Sequence, residues 1–248
     1  MPAISRQNTL WHARKTIFYV MLFVVLANKD VKGQHNMVYA SFGLGGKGFS
    51  FSALAGREWE IGEREKWVWG TGIRYTGYRG TDRFYATAPA RLTTGSTGPL
   101  VLFKPNQPGN MDSIQVGVSS MHAVNLFVQI QYRIAQHWRA GFNIDVIGAT
   151  LGAKQPATYI NGPVREAAQA KPTSFNLLLV SDNDRGSLNS EFFVLYRPAG
   201  SLAVKGGVQF LFTEYTTTTR VQQLPEENNR FRNKSLMIAL GVAKYFNP

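Results

Sequence analysis

No cysteine occurs among the 248 residues. That absence excludes disulfides, thiolate metal sites and a lipid anchor carried on an N-terminal cysteine. Charge is scarce as well: Asp, Glu, Lys and Arg make up 17% of the chain, against about 25% in an average soluble domain. Acids are the rarer sign, 15 against 27 bases. No apolar run reaches the roughly 20 residues that a membrane-spanning helix needs, so a membrane role has to use strands. The basic balance comes with no nucleic-acid motif, and Lys and Arg do not gather in one stripe, so nucleic acid is not an expected partner. Histidine is limited to four residues. His35 and His137 fall at a terminus and a turn and offer no metal constellation. "GLGGKG" (43–48) lacks the strand–loop–helix context and the following Lys-Ser/Thr of a phosphate loop, and reads as a hairpin tip. Neither a metal nor a cofactor is expected.

What the chain does hold is aromatic residues (16 Phe, 10 Tyr and 5 Trp) and 24 glycines, a mixture that suits strands and tight turns. All-β barrels commonly run to this length as one domain. The first 33 residues stand apart. Arg14 and Lys15 precede an apolar stretch from Ile17 to Ala27, the n-region and h-region of a secretory signal peptide. Cleavage is expected after Gly33, with Ala27 as the alternative. Arg6, Arg14, Lys15, Lys29 and Lys32 against Asp30 place +4 of the chain's +12 in this leader and leave +8 for a domain at 34–248. A basic surface of that kind suits anionic lipid or glycolipid phosphate.

Past residue 35 one pattern repeats: runs that alternate at period 2, the strand period. They lie at about 37–44, 49–61, 66–81, 117–134, 138–153, 187–198, 202–219 and 232–246. The connections "GEREK", "AQH" and "PAGS" are tight, whereas those after the third, fifth and seventh runs are long. An even strand number with short and long turns in alternation is the rule for outer-membrane barrels, with both termini on the short-turn, periplasmic side. The expected fold is therefore all-β: an eight-stranded antiparallel up-and-down transmembrane β-barrel.

Parity assigns the faces. Val124, Leu126, Val128, Ile130, Tyr132 and Ile134 fall on one side of the fourth run, and Asn125, Gln129, Gln131 and Arg133 on the other. Trp138, Phe142 and Ile144 oppose Arg139, Asn143 and Asp145 in the fifth, and the seventh and eighth runs repeat the contrast. A half-buried soluble sheet also alternates. Here, however, the polar set is rich in glycine and amides, as a narrow interior demands. Trp59, Trp67, Trp69, Tyr132, Trp138, Tyr196 and Phe246 all fall at the short-turn end of their strands, which makes an aromatic girdle of the kind that sits at a bilayer interface. Tyr75, Phe212 and Tyr215 are candidates for the opposite rim.

The last run, "LMIALGVAKYF", resembles the terminal strand of bacterial outer-membrane proteins, with Asn247 and Pro248 following its final aromatic. Over roughly 37–246 the chain resembles the small eight-stranded outer-membrane barrel proteins of Bacteroidetes-type bacteria, the outer membrane protein beta-barrel domain family. That resemblance implies an outer-membrane location, contact with outer-membrane lipid and lipopolysaccharide, and a terminal aromatic read by the insertion machinery. It implies no catalytic motif.

Parity places Glu58, Glu60, Arg74, Arg133, Arg139, Asp145, Glu191, Arg197 and Lys205 in the interior, where charges need partners. Glu58 and Glu191 are expected to face arginines, filling a bore too narrow to conduct; a small gated channel is the alternative. Ser120 and His122 lie two apart on one face and are the only candidates for a lipid-modifying hydrolase, though their order and spacing do not match a His-x-Ser pattern. A non-enzymatic structural, adhesive or partner-binding role is favoured, carried by external loops 82–116 and 154–186. Each loop contains an apolar knot, "PLVLF" and "SFNLLLV", suited either to packing over the mouth or to extending strands above the membrane. Arg83, Arg91, Lys104, Arg165 and Lys171 are placed there to meet anionic sugars, phosphates or a protein partner.

Overall fold

Alternating Val, Leu, Ile and aromatic residues pack well on a pleated surface, and in the computed structural model they form one antiparallel sheet of eleven strands. The structure describes residues 31–246 apart from Glu63 and Ala199. All but the last three residues of the expected leader, and the two that follow Phe246, lie outside that range.

The strands are β1 (Val31–Gly45), β2 (Gly48–Ile61), β3 (Trp67–Thr87), β4 (Ser113–Ala135), β5 (Trp138–Leu151), β6 (Gln155–Asn161), β7 (Val164–Pro172), β8 (Phe175–Leu177), β9 (Leu188–Tyr196), β10 (Leu202–Thr217) and β11 (Arg230–Phe246). Eight of them pair in sequence, β1–β2–β3–β4–β5–β9–β10–β11, and β11 returns to β1 from Asn36↔Phe246 to Leu44↔Ile238. The ring has no open edge, so the backbone of the last strand is hydrogen-bonded on both sides. Its first hairpin turns on Gly46, whose φ of 58° is costly for any residue with a Cβ.

The eight alternating runs are the eight members of this ring. The other three strands lie within the second of the two long loops, which the sequence left open between packing over the mouth and extending strands. β3 and β4 extend to Thr87 and from Ser113, so that only 88–112 connects them, and β6, β7 and β8 occupy the second loop. The extensions close a second ring of six strands. Above the first hairpin β11 skips β1 and β2 to meet β3 directly (Phe231↔Thr87). β4 leaves β5 for β6, β6 pairs with β7, and β7 meets β10 (Tyr215↔Pro172). Each of the six strands sends side chains inward: Tyr85, Ile114 and Val116, Ala157 and Tyr159, Ala170, Tyr215, and Phe231 form one buried cluster. The Tyr85 and Tyr215 rings meet edge to face at 4.9 Å. This upper ring has a filled apolar core.

A paired irregularity separates the rings. Thr81↔Val118 and Arg83↔Val116 keep register while Asp82, with φ 47°, and Gly117 are left unpaired between them. Each strand has one residue to spare there, so inside and outside exchange parity. Even residues of β4 point out at Val124 and Leu126 but in at Ile114 and Val116. A second bulge at Val146 does the same to β5, where Thr150 is buried and Leu151 exposed.

The changeover also leaves part of the β4 backbone without a strand partner, and Tyr215 fills the gap. Its hydroxyl accepts from the Ser120 amide at 2.9 Å and donates to the Ser120 carbonyl at 3.0 Å. Tyr215 is therefore an interior residue and not, as parity first placed it, part of an outer rim; Tyr75 and Phe212 do lie on the outer face, half-buried. Tyr215→Phe is expected to cost about 1–3 kcal/mol, because it leaves a buried donor and acceptor unmade. Deuterium exchange at the Ser120 amide is the check: protection equal to the wild type would mean that the hydroxyl does not hold the seam.

Candidate functional site

Inward-facing positions of the eight-strand ring carry ion pairs that are buried except at Arg133. Glu58 is fully buried. It accepts from Tyr39 Oη at 2.8 Å, Gln129 Nε2 at 2.7 Å and Gln131 Nε2 at 2.6 Å, and it meets Arg139 Nη1 at 3.3 Å. Glu60 takes the other arm of Arg139 at 3.0 Å and Arg133 at 2.6 Å. Further along the interior, Arg74 pairs with Asp145 at 3.4 Å, donates to Asn143 Oδ1 at 2.5 Å and lies over the Phe127 ring. Glu191 is held by Lys205 at 2.5 Å, with Asn143 and Ser41 on its remaining lone pairs. The Lys205 ammonium sits between the Tyr39 and Phe193 rings, 5.4 and 4.9 Å from their centres.

Glu58 thus faces an arginine, but the partner of Glu191 is Lys205. Period 2 says which residues share the interior; it does not say which of them touch across it. Arg197 stands at the mouth, half-buried, with its guanidinium 4.4 Å from the Tyr245 ring. One cluster is absent from the sequence reading. Glu214, buried, is bonded by Arg230 at 2.8 Å and Arg232 at 2.8 Å, and the segment before β9 covers it, its Asp184 carbonyl accepting from both arginines. The only sequence signal was that "TEYT" (213–216) breaks the alternation.

Outside the ring the pattern reverses. Val38, Phe42 and Leu44 on β1, Val204 on β10, and Leu236, Ile238, Leu240 and Val242 on β11 are all exposed, Ile238 by 70%. Leu202 to Phe212 covers about 33 Å of strand at ~3.3 Å per residue, or about 25 Å once tilted by ~40°. At the short-turn end Trp67 meets Tyr132 at 4.9 Å and Trp138 meets Tyr196 at 4.7 Å. Phe246 completes this rim, and Trp59 and Trp69 pair one step further in, half-buried.

Ser120 and His122 both lie on the outer face, but not as a nucleophile and its base. His122 Nδ1 is bonded to the Tyr75 hydroxyl at 2.7 Å, with the two rings stacked. The Ser120 backbone is engaged by Tyr215, and no hydrogen bond joins Ser120 to His122 among the described residues. His137 Nδ1 contacts the Arg197 carbonyl in a turn. Among the described residues no cluster of three or more potential metal ligands occurs, and no helix is long and apolar enough to cross a membrane, which says nothing about strands.

The loop cations divide. Lys104 and Lys171 are exposed, Arg91 pairs with Glu226, and Arg165 caps the carbonyls of its own hairpin tip. Arg83 is not a free loop cation: it turns inward onto Asn233 and Ser235 at 2.7 and 2.8 Å. Gln222 ties the loops together, bonding Thr87, the Asn110 carbonyl and Asn228. Burial, and then its bond to the Asp112 carboxylate, push the Tyr159 hydroxyl up to about 12.

Fold and interior together define an all-β protein, closed by hydrogen bonding, with ion pairs inside and apolar side chains outside. No protein-family model matches the chain, and no curated protein does. Among solved structures it is similar to Neisserial surface protein A, at 11% identity over 88% of this chain and 100% of that one, with a TM-score of 0.40. It is also similar to Ail, the attachment invasion locus protein of Yersinia pestis, at 7% identity over 87% and 99%, TM-score 0.37. A third is the CymD monoaromatic hydrocarbon channel, at 8% identity over 88% and 90%, TM-score 0.24. Likenesses this weak carry no argument.

Proposed function

We propose that the chain is an integral outer-membrane β-barrel protein, exported by its leader and non-enzymatic, which acts by binding a partner through its external loops. One observation carries this reading: the sheet buries Glu58, Arg74, Asp145, Glu191 and Lys205 while it exposes a continuous apolar ring bounded by Trp, Tyr and Phe. Water as the solvent would favour the reverse. A soluble monomer seldom exposes an apolar patch beyond a few hundred Å², whereas hydrocarbon around the ring removes the cost and requires the closed backbone. Outer-membrane lipid, lipopolysaccharide and the insertion machinery are the partners that follow.

The interior argues against transport. An eight-strand ring leaves room for side chains or one small ligand, and the six-strand ring above it is filled by its own apolar core. What remains for function is the external platform. Loop 88–112 presents Leu100 and Phe103, the latter 83% exposed, and the loop after β10 presents Leu224. Between them lies a cleft of about 410 Å³ lined by Pro89, Arg91, Arg220, Glu226 and Arg230 among others. Exposed apolar side chains on loops tied to a rigid base suit docking of a protein.

The test is gel migration of the detergent-purified protein in cold SDS, before and after boiling. A compact fast-moving form that shifts on heating is expected. Recovery of the unheated chain in the aqueous fraction without detergent would remove the membrane reading. Planar-bilayer recordings should show no openings; steady single-channel currents would mean that the upper ring is not closed.

A further inference from the structure

The outer wall carries one patch that the apolar ring does not explain. On the outer face of β3 and β4 the facing pairs run Tyr75↔Val124, Gly77↔His122, Arg79↔Ser120, ending just below the Asp82/Gly117 irregularity. This is the end of the wall away from the Trp and Tyr rim. Gly77 has no side chain, which lets the Tyr75 ring lie over it and reach His122 beside it, with Arg79 above. Tyr75 fixes the imidazole through Nδ1, and Nε2 has no partner among the described residues. Arg79 is exposed and makes no ion pair or side-chain hydrogen bond among them, and neither does Lys47, whose carbonyl accepts from Thr81 one step higher. Asp82, the acid nearest in the chain, pairs with neither cation.

The surroundings are apolar. Phe49 and Phe51 flank Arg79 and Gly77 on β2, Ile73 and Val124 lie below, and Leu151, 72% exposed, stands opposite His122. A guanidinium and an imidazole at the edge of an apolar wall, without carboxylates, call for an anion. Apolar side chains directly beneath them call for a ligand whose anion ends an acyl chain.

We propose that the patch formed by Tyr75, Arg79, Ser120 and His122 on the outer wall is a binding site for the phosphate of a phosphorylated lipid headgroup in the outer leaflet. Arg79 and His122 Nε2 contact the phosphate oxygens, the Ser120 hydroxyl adds a donor, Tyr75 orients the imidazole, and the acyl chains lie over Ile73, Val124 and Leu151. The assignment rests on the membrane reading and deepens it by naming where lipid is recognised.

Native mass spectrometry of the protein in a neutral detergent tests it, with a diphosphorylated acylated disaccharide as probe and the same lipid with its phosphates removed as comparison. The wild type should retain the phosphorylated form about tenfold better, the scale of one or two charge-assisted hydrogen bonds. Arg79→Gln and His122→Gln should each lose most of that preference, while Lys104→Gln, on an exposed loop, should keep it. Cold-SDS migration of every sample separates the two readings. Equal retention of both lipids by a wild type that migrates as a compact form, or wild-type preference in a compact Arg79→Gln, His122→Gln double variant, overturns the site and leaves the membrane reading standing. A wild type with no compact form overturns both.

Discussion

Glu58→Leu is expected to cost about 3–5 kcal/mol of unfolding free energy, the penalty for removing one partner of a buried ion pair. The carboxylate is the shared acceptor of four donors on three other strands: Tyr39, Gln129, Gln131 and Arg139. Leucine fills a similar volume and accepts nothing. Both amides are then left buried beside an apolar group, at roughly 1–3 kcal/mol for each donor that finds no substitute, while the Tyr39 hydroxyl keeps the Tyr245 hydroxyl at 2.6 Å. Arg139 keeps Glu60, but Glu60 already holds Arg133. Glu58→Gln keeps the shape and one acceptor oxygen and should cost less, about 1–3 kcal/mol. Glu60→Gln should cost less than Glu58→Leu, because Arg139 retains Glu58 and Arg133, with 30% of its side chain exposed, retains water. Urea unfolding in lipid vesicles, followed by tryptophan fluorescence, measures all three. A Glu58→Leu midpoint within about 1 kcal/mol of the wild type would show that the cluster fills space without holding the ring.

Leu240→Arg addresses the outside. Leu240 lies halfway along the exposed face of β11, between Phe246 at the rim and Lys234 at the far end, and is 65% exposed. Its pairing neighbours are Phe42 and Gly206. In water an arginine there would be harmless and would reduce an apolar surface. At the middle of a bilayer it should destabilise the folded protein by about 2–4 kcal/mol. The same substitution at Phe103, on a loop, should change stability by less than about 0.5 kcal/mol. The contrast between these positions is the informative quantity, because both side chains are apolar and exposed. Equal and small effects at the two sites, in vesicles, would mean that water touches Leu240.

Several features were legible from residue order because they depend only on neighbours along the chain. Alternation in "LMIALGVAKYF" places Leu236, Ile238 and Leu240 on one face whatever β11 pairs with, and the structure has them exposed. The same parity puts Glu58, Arg74 and Lys205 inside. It failed where a strand gains a residue: past Asp82 and Gly117 the faces exchange, and no periodicity spans the break. It failed again at Tyr215, whose hydroxyl is committed to the backbone of Ser120, 95 residues away.

By itself, then, the order of residues determined that these segments are strands, which side of each is apolar, and that the aromatics gather at one end, since each follows from a two-residue repeat. The choice of Lys205 for Glu191, the bond from Tyr75 to His122, and the six-strand ring with its closed core were decided only in three dimensions. Those contacts join residues from 14 to more than a hundred positions apart, and the register between strands, which no local pattern encodes, sets which side chains meet.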